Sequence, residues 1–482
     1  MSRTPIAAGR HEVPRGLVVL AALAVFLFAL HDWVPDAPGK LPNALLTVGA
    51  VALVLYAWSQ FSPRGLSALL ATWRYPFALA ALLHGAAFAT IAAFIPVSYT
   101  SLLGLWLNDG GSLRAGLLPY RDFVLEYPPL AAVLFWLPTY SGQGIEGYRL
   151  GFALTILVFD LLGVAVGLWA LRRCAPEASP RGIILLQPLW LVWAGRNLVF
   201  EDFDLAPAVL LLLAIALLAA GRHHAAWAAL GLGVVLKLYP VLLLPIFLMV
   251  AWQQRTRRQL ATDIGAFLAA MLLPTLIVMR GHLLDVWAFV SYHLDRGLEV
   301  ESTYAALLMI GHLITGSPIK DVSGHRAEEI AAPLAPLLST VALPVTILAL
   351  AAVYVLAWRM RHDWLSPARL FDSLVRLSTA ALITFMITGK VLSPQYLLWL
   401  YPLVAVLGRR QGAVWALYGA SVIFADWIYP NHWIEMISFT PHAIGVLVAR
   451  NTILLVLLVL ALWPQRSAPP LEGRLGPLQR FM

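Results

Sequence analysis

The chain has 482 residues, of which 60% are hydrophobic and 12% charged, and its mean hydropathy is +0.79. Soluble domains carry roughly 25% charged residues, so this composition excludes a soluble protein and indicates a polytopic membrane protein. The net charge of +8 comes from Lys and Arg at the ends of apolar runs, which is typical of topology signals and lipid-headgroup contacts and not of a nucleic-acid surface. A single cysteine, Cys174, excludes an intrachain disulfide and a multi-cysteine metal site.

The N-terminal part of the chain predicts three membrane spans. Residues 16–30 form an apolar run after three arginines, and because more apolar segments follow, an uncleaved span is favoured over a signal peptide. The next two runs cover residues 41–58 and 76–96. Basic residues favour the cytoplasmic side, so the N-terminus is predicted inside the cell and residues 97–127 outside.

A short apolar segment at residues 129–138 does not fit this alternation. Ten helical residues span about 15 Å, which is half the thickness of the hydrocarbon layer. If the segment crossed the membrane, the next span (residues 148–171) would carry Arg172, Arg173 and Arg181 to the outer side. We therefore expect a re-entrant or interfacial helix.

The rest of the chain alternates regularly. Spans are predicted at residues 182–199, 205–220, 260–279, 334–358, 370–388, 395–408, 413–429 and 441–463, with a hairpin of two short helices at 225–238 and 240–252. Residues 280–332 are expected to stay largely outside. The predicted fold class is an all-α polytopic bundle of about 14 transmembrane helices with both termini in the cytoplasm, because continuous apolar runs argue against a β-barrel.

The chain is expected to form one membrane domain, residues 76–463. Residues 1–75 would add a cytoplasmic tail and two further spans. Residues 464–482, rich in proline and arginine, are predicted to be a disordered cytoplasmic tail.

One stretch between apolar runs, PYRDFVLEYPPL at residues 119–130, is unusually polar. It combines three charged side chains with two tyrosines: Arg121, Asp122, Glu126, Tyr120 and Tyr127. Charged groups in hydrocarbon cost several kcal/mol each, so the stretch is predicted to lie at the membrane surface or to line an aqueous cavity.

Further polar groups fall on the predicted outer side. They are Glu201, Asp202, Asp204, Lys237, His293, Arg296, Glu299, Glu301, Lys390 and Gln395. Any one of them could be an interfacial anchor, and Lys237 could reach the headgroups through its aliphatic stem. Because only about 13 helical residues precede Lys237, we favour a position below the outer surface, inside a cavity.

Cations and carboxylates around a lipid-accessible cavity suit the transfer of a sugar from a lipid-linked phosphate. Lys or Arg can stabilise the departing phosphate, and a carboxylate can take the proton of the acceptor hydroxyl. The transition state has oxocarbenium character. Aromatic faces such as those of Tyr120, Tyr127 and Tyr292 could stack on sugar rings.

Five motifs occur in order along the chain: PYRDFVLEYPPL, FDLAPA (203–208), KLYP followed by LLLP (237–245), YHLDRGLEVES (292–302) and KVLSPQYLLWLYP (390–402). Together they resemble glycosyltransferase family 87, which contains polyprenol-phosphate-mannose-dependent mannosyltransferases of the C-type superfamily. The resemblance implies a C-type helical bundle and an inverting transferase that needs no nucleotide, metal or other cofactor. It also implies a polyprenyl-phosphate sugar donor, a glycolipid or cell-envelope glycan acceptor, and an active site on the extracytoplasmic side.

The resemblance also implies roles for particular residues. Carried over by position, the groups around the donor phosphate would be Lys237, His293, Arg296 and Lys390. The substrate cavity would be lined by Arg121, Tyr120, Tyr127, Gln395 and Tyr396.

The resemblance does not directly assign the catalytic base. Such transferases place a catalytic aspartate just after the span that precedes the first outer loop. Here that region reads PVSYTSLLGLW, with no acid before Asp109, and the sequence NDGGS predicts a turn at Asp109. The candidates for the base are Asp122, Glu126 and Asp204. Two alternatives stay open, a transporter or flippase of lipid-linked sugars and a non-catalytic member of the family.

Overall fold

The computed structural model describes residues 76–94, 102–142, 144–176, 178–194, 198–324, 327–364, 366–407 and 411–463. The two spans predicted before residue 76 and the tail predicted after residue 463 lie outside this part of the chain.

Helices dominate the structure. The helices of the first half are α1 (Pro76–Phe94), α2 (Leu103–Arg114), α3 (Ala131–Trp136), α4 (Gly144–Cys174), α5 (Gln187–Trp193), α6 (Leu205–Ala219), α7 (His223–Leu236) and α8 (Leu244–Gln254). Those of the second half are α9 (Arg257–Val278), α10 (Trp287–Asp295), α11 (Thr303–Thr315), α12 (Ala335–Met360), α13 (Pro367–Thr388), α14 (Tyr401–Val406), α15 (Gln411–Asp426), α16 (Trp433–Ile437) and α17 (Pro441–Leu462).

Six helical segments among the described residues are long and apolar enough to cross a membrane. They are Gly144–Cys174, Arg257–Val278, Ala335–Met360, Pro367–Thr388, Gly412–Asn431 and Pro441–Leu462. A multi-pass helical membrane protein is thus confirmed, whereas the predicted number of about 14 spans is not confirmed.

Two predicted spans change their helical form near prolines. In the span predicted at 182–199, a single π-helical turn, Gly182–Leu186, precedes the short helix α5. In the span predicted at 395–408, a 3₁₀ segment, Pro394–Trp399, precedes α14. Pro188, Pro394 and Pro402 lie at the first positions of these pieces, where a missing N–H costs little.

The short helices expected from the sequence are present. Helix α3 continues as the 3₁₀ segment Leu137–Tyr140, so the apolar piece after PYRDFVLEYPPL is only ten residues long. Helix α7 ends at Leu236, and the chain turns through an extended Lys237 into the 3₁₀ segment Tyr239–Leu243 and helix α8. This turn leaves Lys237 between two helix ends.

The segment predicted to lie outside, residues 280–332, adds a small strand pair to the otherwise helical fold. It contains α10 and α11 and an antiparallel hairpin of β1 (Lys320–Gly324) and β2 (Ala327–Ala331). The chain at 298–300 also bonds to β2, because Val300 donates to the Glu328 carbonyl and Ile330 donates to the Leu298 carbonyl. These bonds hold the hairpin against the YHLDRGLEVES motif.

The turn predicted at NDGGS is also wrong, since Asp109 lies buried within helix α2. Gly110 allows the helix to pack closely, because a Cβ added there would lie 2.1 Å from the carbonyl oxygen of Phe135. Close packing against the end of α3 therefore outweighs the turn preference of these residues.

Helix α6 lies at the centre of the bundle. Nearly all of its side chains are buried, and it packs against α4, α7 and α13. Its first residue, Leu205, directly follows Asp204, so the most buried helix begins next to a carboxylate.

Candidate functional site

A cavity of about 1540 Å³ lies where the ends of several helices meet. It is lined by residues from the segments 126–128, 198–202, 237–242, 289–301, 335–346 and 385–399 and from the β1–β2 hairpin. Four of the five sequence motifs contribute side chains that line the cavity directly. Charged groups and a wall of small and apolar side chains from α12 share this space.

Lys237 and Asp204 form a buried ion pair beside the cavity. The Lys237 ammonium donates to both carboxylate oxygens of Asp204, at 2.7 and 2.5 Å, and the Trp399 indole N–H donates to one of the same oxygens. The ammonium also lies 4.8 Å from the ring centre of Phe203 and 5.4 Å from that of Tyr127. Asp204 itself does not line the cavity, so its role in this geometry is to hold Lys237.

Asp202, two residues earlier, does line the cavity. Its side chain is 7% exposed, and Oδ1 has no hydrogen-bond partner among the described residues. Burial raises the pKa of Asp202 well above its ordinary value, and the negative charge of Asp204 adds to the rise, while Lys237 opposes it.

The predicted phosphate-binding groups converge on the same cavity. His293, Arg296 and Lys390 line it together with Lys237. The Lys390 ammonium donates to the carbonyl of Arg296, which joins two motifs that lie almost a hundred residues apart. The structure thus brings these four residues to one place.

His293 is a neutral hydrogen-bonding group in this structure. Burial lowers the pKa of its ring to about 4, and nearby positive charges add to that shift. Because Nε2 lies 3.0 Å from the carbonyl oxygen of Glu126, this nitrogen must carry the proton and donate. His293 therefore supplies hydrogen bonds to the site and not the positive charge that a cationic role would require.

Two further carboxylates fix the loop that carries Arg296. Glu299 accepts from the backbone N–H of Leu392 at 2.6 Å and from the Ser393 hydroxyl at 2.5 Å. Glu301 accepts from the guanidinium of Arg450, which also donates to the Glu301 carbonyl at 2.7 Å. Arg450 is fully buried in α17.

The structure separates the predicted site residues into two groups. Those that line the cavity are Glu126, Tyr127, Lys237, His293, Arg296, Lys390, Gln395 and Tyr396. Those that do not are Tyr120, Arg121, Asp122 and Asp204.

The residues of the second group have other contacts, which explain their positions. Asp122 is exposed and accepts from the backbone N–H of Leu118 at 2.7 Å, so it stabilises its own loop. Arg121 is exposed, and the Tyr120 hydroxyl donates to the carbonyl of Tyr127. The expectation that these three side chains reach the substrate cavity is thus not met.

Sequence reasoning assigned no site role to Asp202, Trp399 or Arg450. Trp399 lies inside a recognised motif, but its bond to Asp204 depends on packing. The sequence could have predicted a buried partner for Arg450, because a lone arginine within an apolar run is costly unless it is paired.

The chain is similar in sequence to a known protein family and to a known mannosyltransferase. The sequence model described as Glycosyltransferase family 87 matches residues 123–394, which include Asp202, Lys237 and Lys390. The chain is 25% identical over 365 residues to a polyprenol-phosphate-mannose-dependent alpha-(1-2)-phosphatidylinositol mannoside mannosyltransferase of Mycobacterium tuberculosis; the match covers 68% of this chain and 75% of that protein.

A solved structure, ArnT from Cupriavidus metallidurans bound to undecaprenyl phosphate, is similar at a TM-score of 0.44 and 15% identity, over 83% of this chain and 77% of that one. That similarity is too low to support the fold or the function. The family match carries the assignment, since it covers more than half of the chain and most of the cavity-lining motifs. The chain belongs to glycosyltransferase family 87 and is a membrane glycosyltransferase.

Proposed function

We propose that this protein transfers mannose from a polyprenyl-phosphate donor to a glycolipid or cell-envelope glycan acceptor. The transfer takes place on the extracytoplasmic face and inverts the configuration at the anomeric carbon. A cavity carboxylate acts as the base. The choice of mannose and of a polyprenyl donor rests on the mannosyltransferase relative from Mycobacterium tuberculosis.

The observation that carries this proposal is the combination of phosphate-binding groups and an apolar wall in one cavity. Lys237, Arg296 and Lys390 offer N–H donors to a phosphate group. Next to them, Leu238 and Leu242 and the small side chains of α12 form an apolar surface that suits an isoprenoid chain. A soluble sugar nucleotide would need no such wall.

The site residues fit the demands of the reaction. As the bond between the anomeric carbon and the phosphate oxygen breaks, negative charge grows on the phosphate, and the cations stabilise it. The aromatic faces of Tyr127 and Tyr396 lie beside the same space and suit stacking on a sugar ring. The neutral His293 ring keeps its Nδ1 as an acceptor for a hydroxyl hydrogen.

The outer-face orientation is supported by the direction of the helices. Helix α12 begins at the cavity, and α13 ends beside it, next to Lys390. Basic residues collect at the far ends of the long helices: Arg172, Arg173, Arg257, Arg258, Arg359 and Arg361. Basic residues favour the cytoplasm, so the cavity is proposed to face the opposite side.

The test is a transfer assay with purified protein, radiolabelled polyprenyl-phosphate mannose and phosphatidylinositol mannoside as acceptor. We expect labelled glycolipid from the wild-type protein and an increase of at least about tenfold in the KM for the donor in Lys390→Met, because a charge-assisted bond to phosphate is lost. Lys320→Met is the matched control, since Lys320 is exposed on β1 and does not line the cavity. Absence of labelled product with a donor that binds would contradict the proposal.

The flippase alternative predicts a different outcome. In liposomes that carry the protein, a fluorescent donor lipid would change leaflets without loss of its sugar. A non-catalytic family member would bind the donor and produce neither result.

A further inference from the structure

We propose that Asp202 is the catalytic base that takes the proton of the acceptor hydroxyl. The inference rests on the proposed transfer reaction and deepens it by assigning the one role that the family resemblance left open among several acids. Asp202 lies in the loop before α6 and directly precedes the FDLAPA motif.

Three other carboxylates in or beside the cavity already have partners. Both oxygens of Asp204 are held by Lys237, so its charge is committed to an ion pair. Glu299 accepts two hydrogen bonds from the chain at 392–393. Glu301 is paired with Arg450. A carboxylate held in this way is a weaker base, because its partners favour the charged form.

Two of the remaining acids at the cavity, Glu201 and Glu328, are engaged in the same manner. Glu201 lies 3.2 Å from Arg149. Glu328, on the hairpin, accepts from the Ser323 hydroxyl with both oxygens, at 2.9 and 2.8 Å. Glu126 also lines the cavity with a buried Oε1 that forms no hydrogen bond among the described residues, but its carboxylate lies close enough to Arg296 to interact with the guanidinium charge.

Asp202 differs from these acids in the charge beside it, because the strongest charge acting on Asp202 is the carboxylate of Asp204, whereas Glu126 lies near the guanidinium of Arg296. Asp202 is buried, lines the cavity, and keeps Oδ1 without a hydrogen-bond partner among the described residues. Burying a carboxylate oxygen without a partner is unfavourable, so such an atom at a cavity wall is explained by a proton-bearing group that arrives with substrate. An acceptor hydroxyl supplies that group.

The environment also makes Asp202 a stronger base than an exposed carboxylate. Burial and the adjacent charge of Asp204 raise its pKa, and Lys237 acts in the opposite direction. Tyr127 and Tyr396 line the same cavity as Asp202. Once protonated, Asp202 can donate to Asp204, so the acid form has a partner within the site.

The step balances without any further reactant. The acceptor oxygen forms a bond to the anomeric carbon, and the bond from that carbon to the phosphate oxygen breaks. The hydroxyl proton moves to Asp202, and the electron pair of the broken bond stays on the polyprenyl phosphate, next to the cavity cations. The proton returns to solvent or to the released phosphate after the products leave.

The experiment compares Asp202→Asn with the matched variant Asp285→Asn, which makes the same chemical change on an acid that does not line the cavity. Single-turnover transfer and binding of radiolabelled polyprenyl-phosphate mannose are measured for both. We expect the transfer rate of Asp202→Asn to fall at least about 100-fold, as for loss of a general base, with donor affinity within about twofold of wild type. Asp285→Asn is expected to match the wild type.

Retention of more than about a tenth of the wild-type rate in Asp202→Asn would overturn the assignment and leave the proposed function standing. A wild-type protein that binds the donor and forms no product would overturn both. Should Asp202→Asn fail to bind the donor, Asp202→Ser is the second variant, and normal transfer by it would also overturn the assignment.

A pH profile supplies a second readout. In the wild type, transfer should decline on the acid side with a midpoint above the ordinary carboxyl range of about 4, because the base must be deprotonated. The residual activity of Asp202→Asn should lack that limb. An unchanged acid limb in the variant would contradict the assignment.

Discussion

The ammonium of Lys237 contacts both carboxylate oxygens of Asp204, at 2.7 and 2.5 Å, across two helix ends that lie 33 residues apart in sequence. Asp204 precedes the buried helix α6, and Lys237 follows α7, which packs against α6. The pair therefore ties the position of Lys237, a proposed phosphate-binding cation, to the core of the bundle. Because Asp204 is fully buried, neither charge can be removed alone without leaving the other uncompensated.

This relationship predicts a large penalty for breaking the pair. Lys237→Met should lower the free energy of unfolding by about 3–5 kcal/mol, since a buried carboxylate loses its partner. The double variant Lys237→Met/Asp204→Asn should regain much of that loss, although it should stay inactive. Thermal unfolding of the single and double variants measures the coupling, and strictly additive effects would show that the two side chains do not act as a pair.

Arg450 is predicted to be a positioning residue for the donor site. Its guanidinium holds Glu301, and Glu301 lies in the loop that carries Arg296 and Glu299. We expect Arg450→Met to raise the KM for the donor more than it lowers kcat, because the loop that presents Arg296 is no longer fixed. Adding Glu301→Gln should restore stability and not donor affinity; equal recovery of both would indicate a purely structural pair.

His293 gives a prediction about pH. Its pKa falls to about 4 in the folded state, against about 6.5 in the unfolded chain, so between these values the unfolded state binds more protons. Stability should therefore decrease as the pH falls from about 6.5 towards 4, and the decrease should be smaller in His293→Gln. Unfolding midpoints at several pH values test this, and identical profiles for the two proteins would contradict it.

Two adjacent glycines of α2, Gly110 and Gly111, allow a controlled test of how closely α2 packs against α3. A Cβ on Gly110 would lie 2.1 Å from the backbone oxygen of Phe135, whereas one on Gly111 meets nothing within 4 Å. Gly110→Ala should thus destabilise the protein by at least about 1–3 kcal/mol, as overpacking does. Gly111→Ala should be neutral or stabilising by up to about 1 kcal/mol, because alanine favours a helix. Similar unfolding midpoints for both variants would contradict the close approach of α2 and α3.

Local sequence features predicted several elements correctly. The short helix α3, the hairpin around Lys237 and the long helices α9, α12, α13 and α17 follow from apolar run length and proline positions. The β1–β2 hairpin was missed, because its strands are short and polar and depend on pairing with the chain at 298–300. Helix α2 was missed at NDGGS because turn-forming residues can enter a helix when close packing requires small side chains.

By itself, the sequence determined that this protein is a multi-pass membrane glycosyltransferase, since composition and the order of short motifs are properties of the chain alone. Only the tertiary structure decided which acids line the cavity. Asp122 and Glu126 are four residues apart, yet one is exposed and the other buried at the cavity. The partners that commit or free a carboxylate come from distant segments, as with Trp399 and Asp204, which are 195 residues apart. Burial and partner choice depend on such contacts, and no local pattern encodes them.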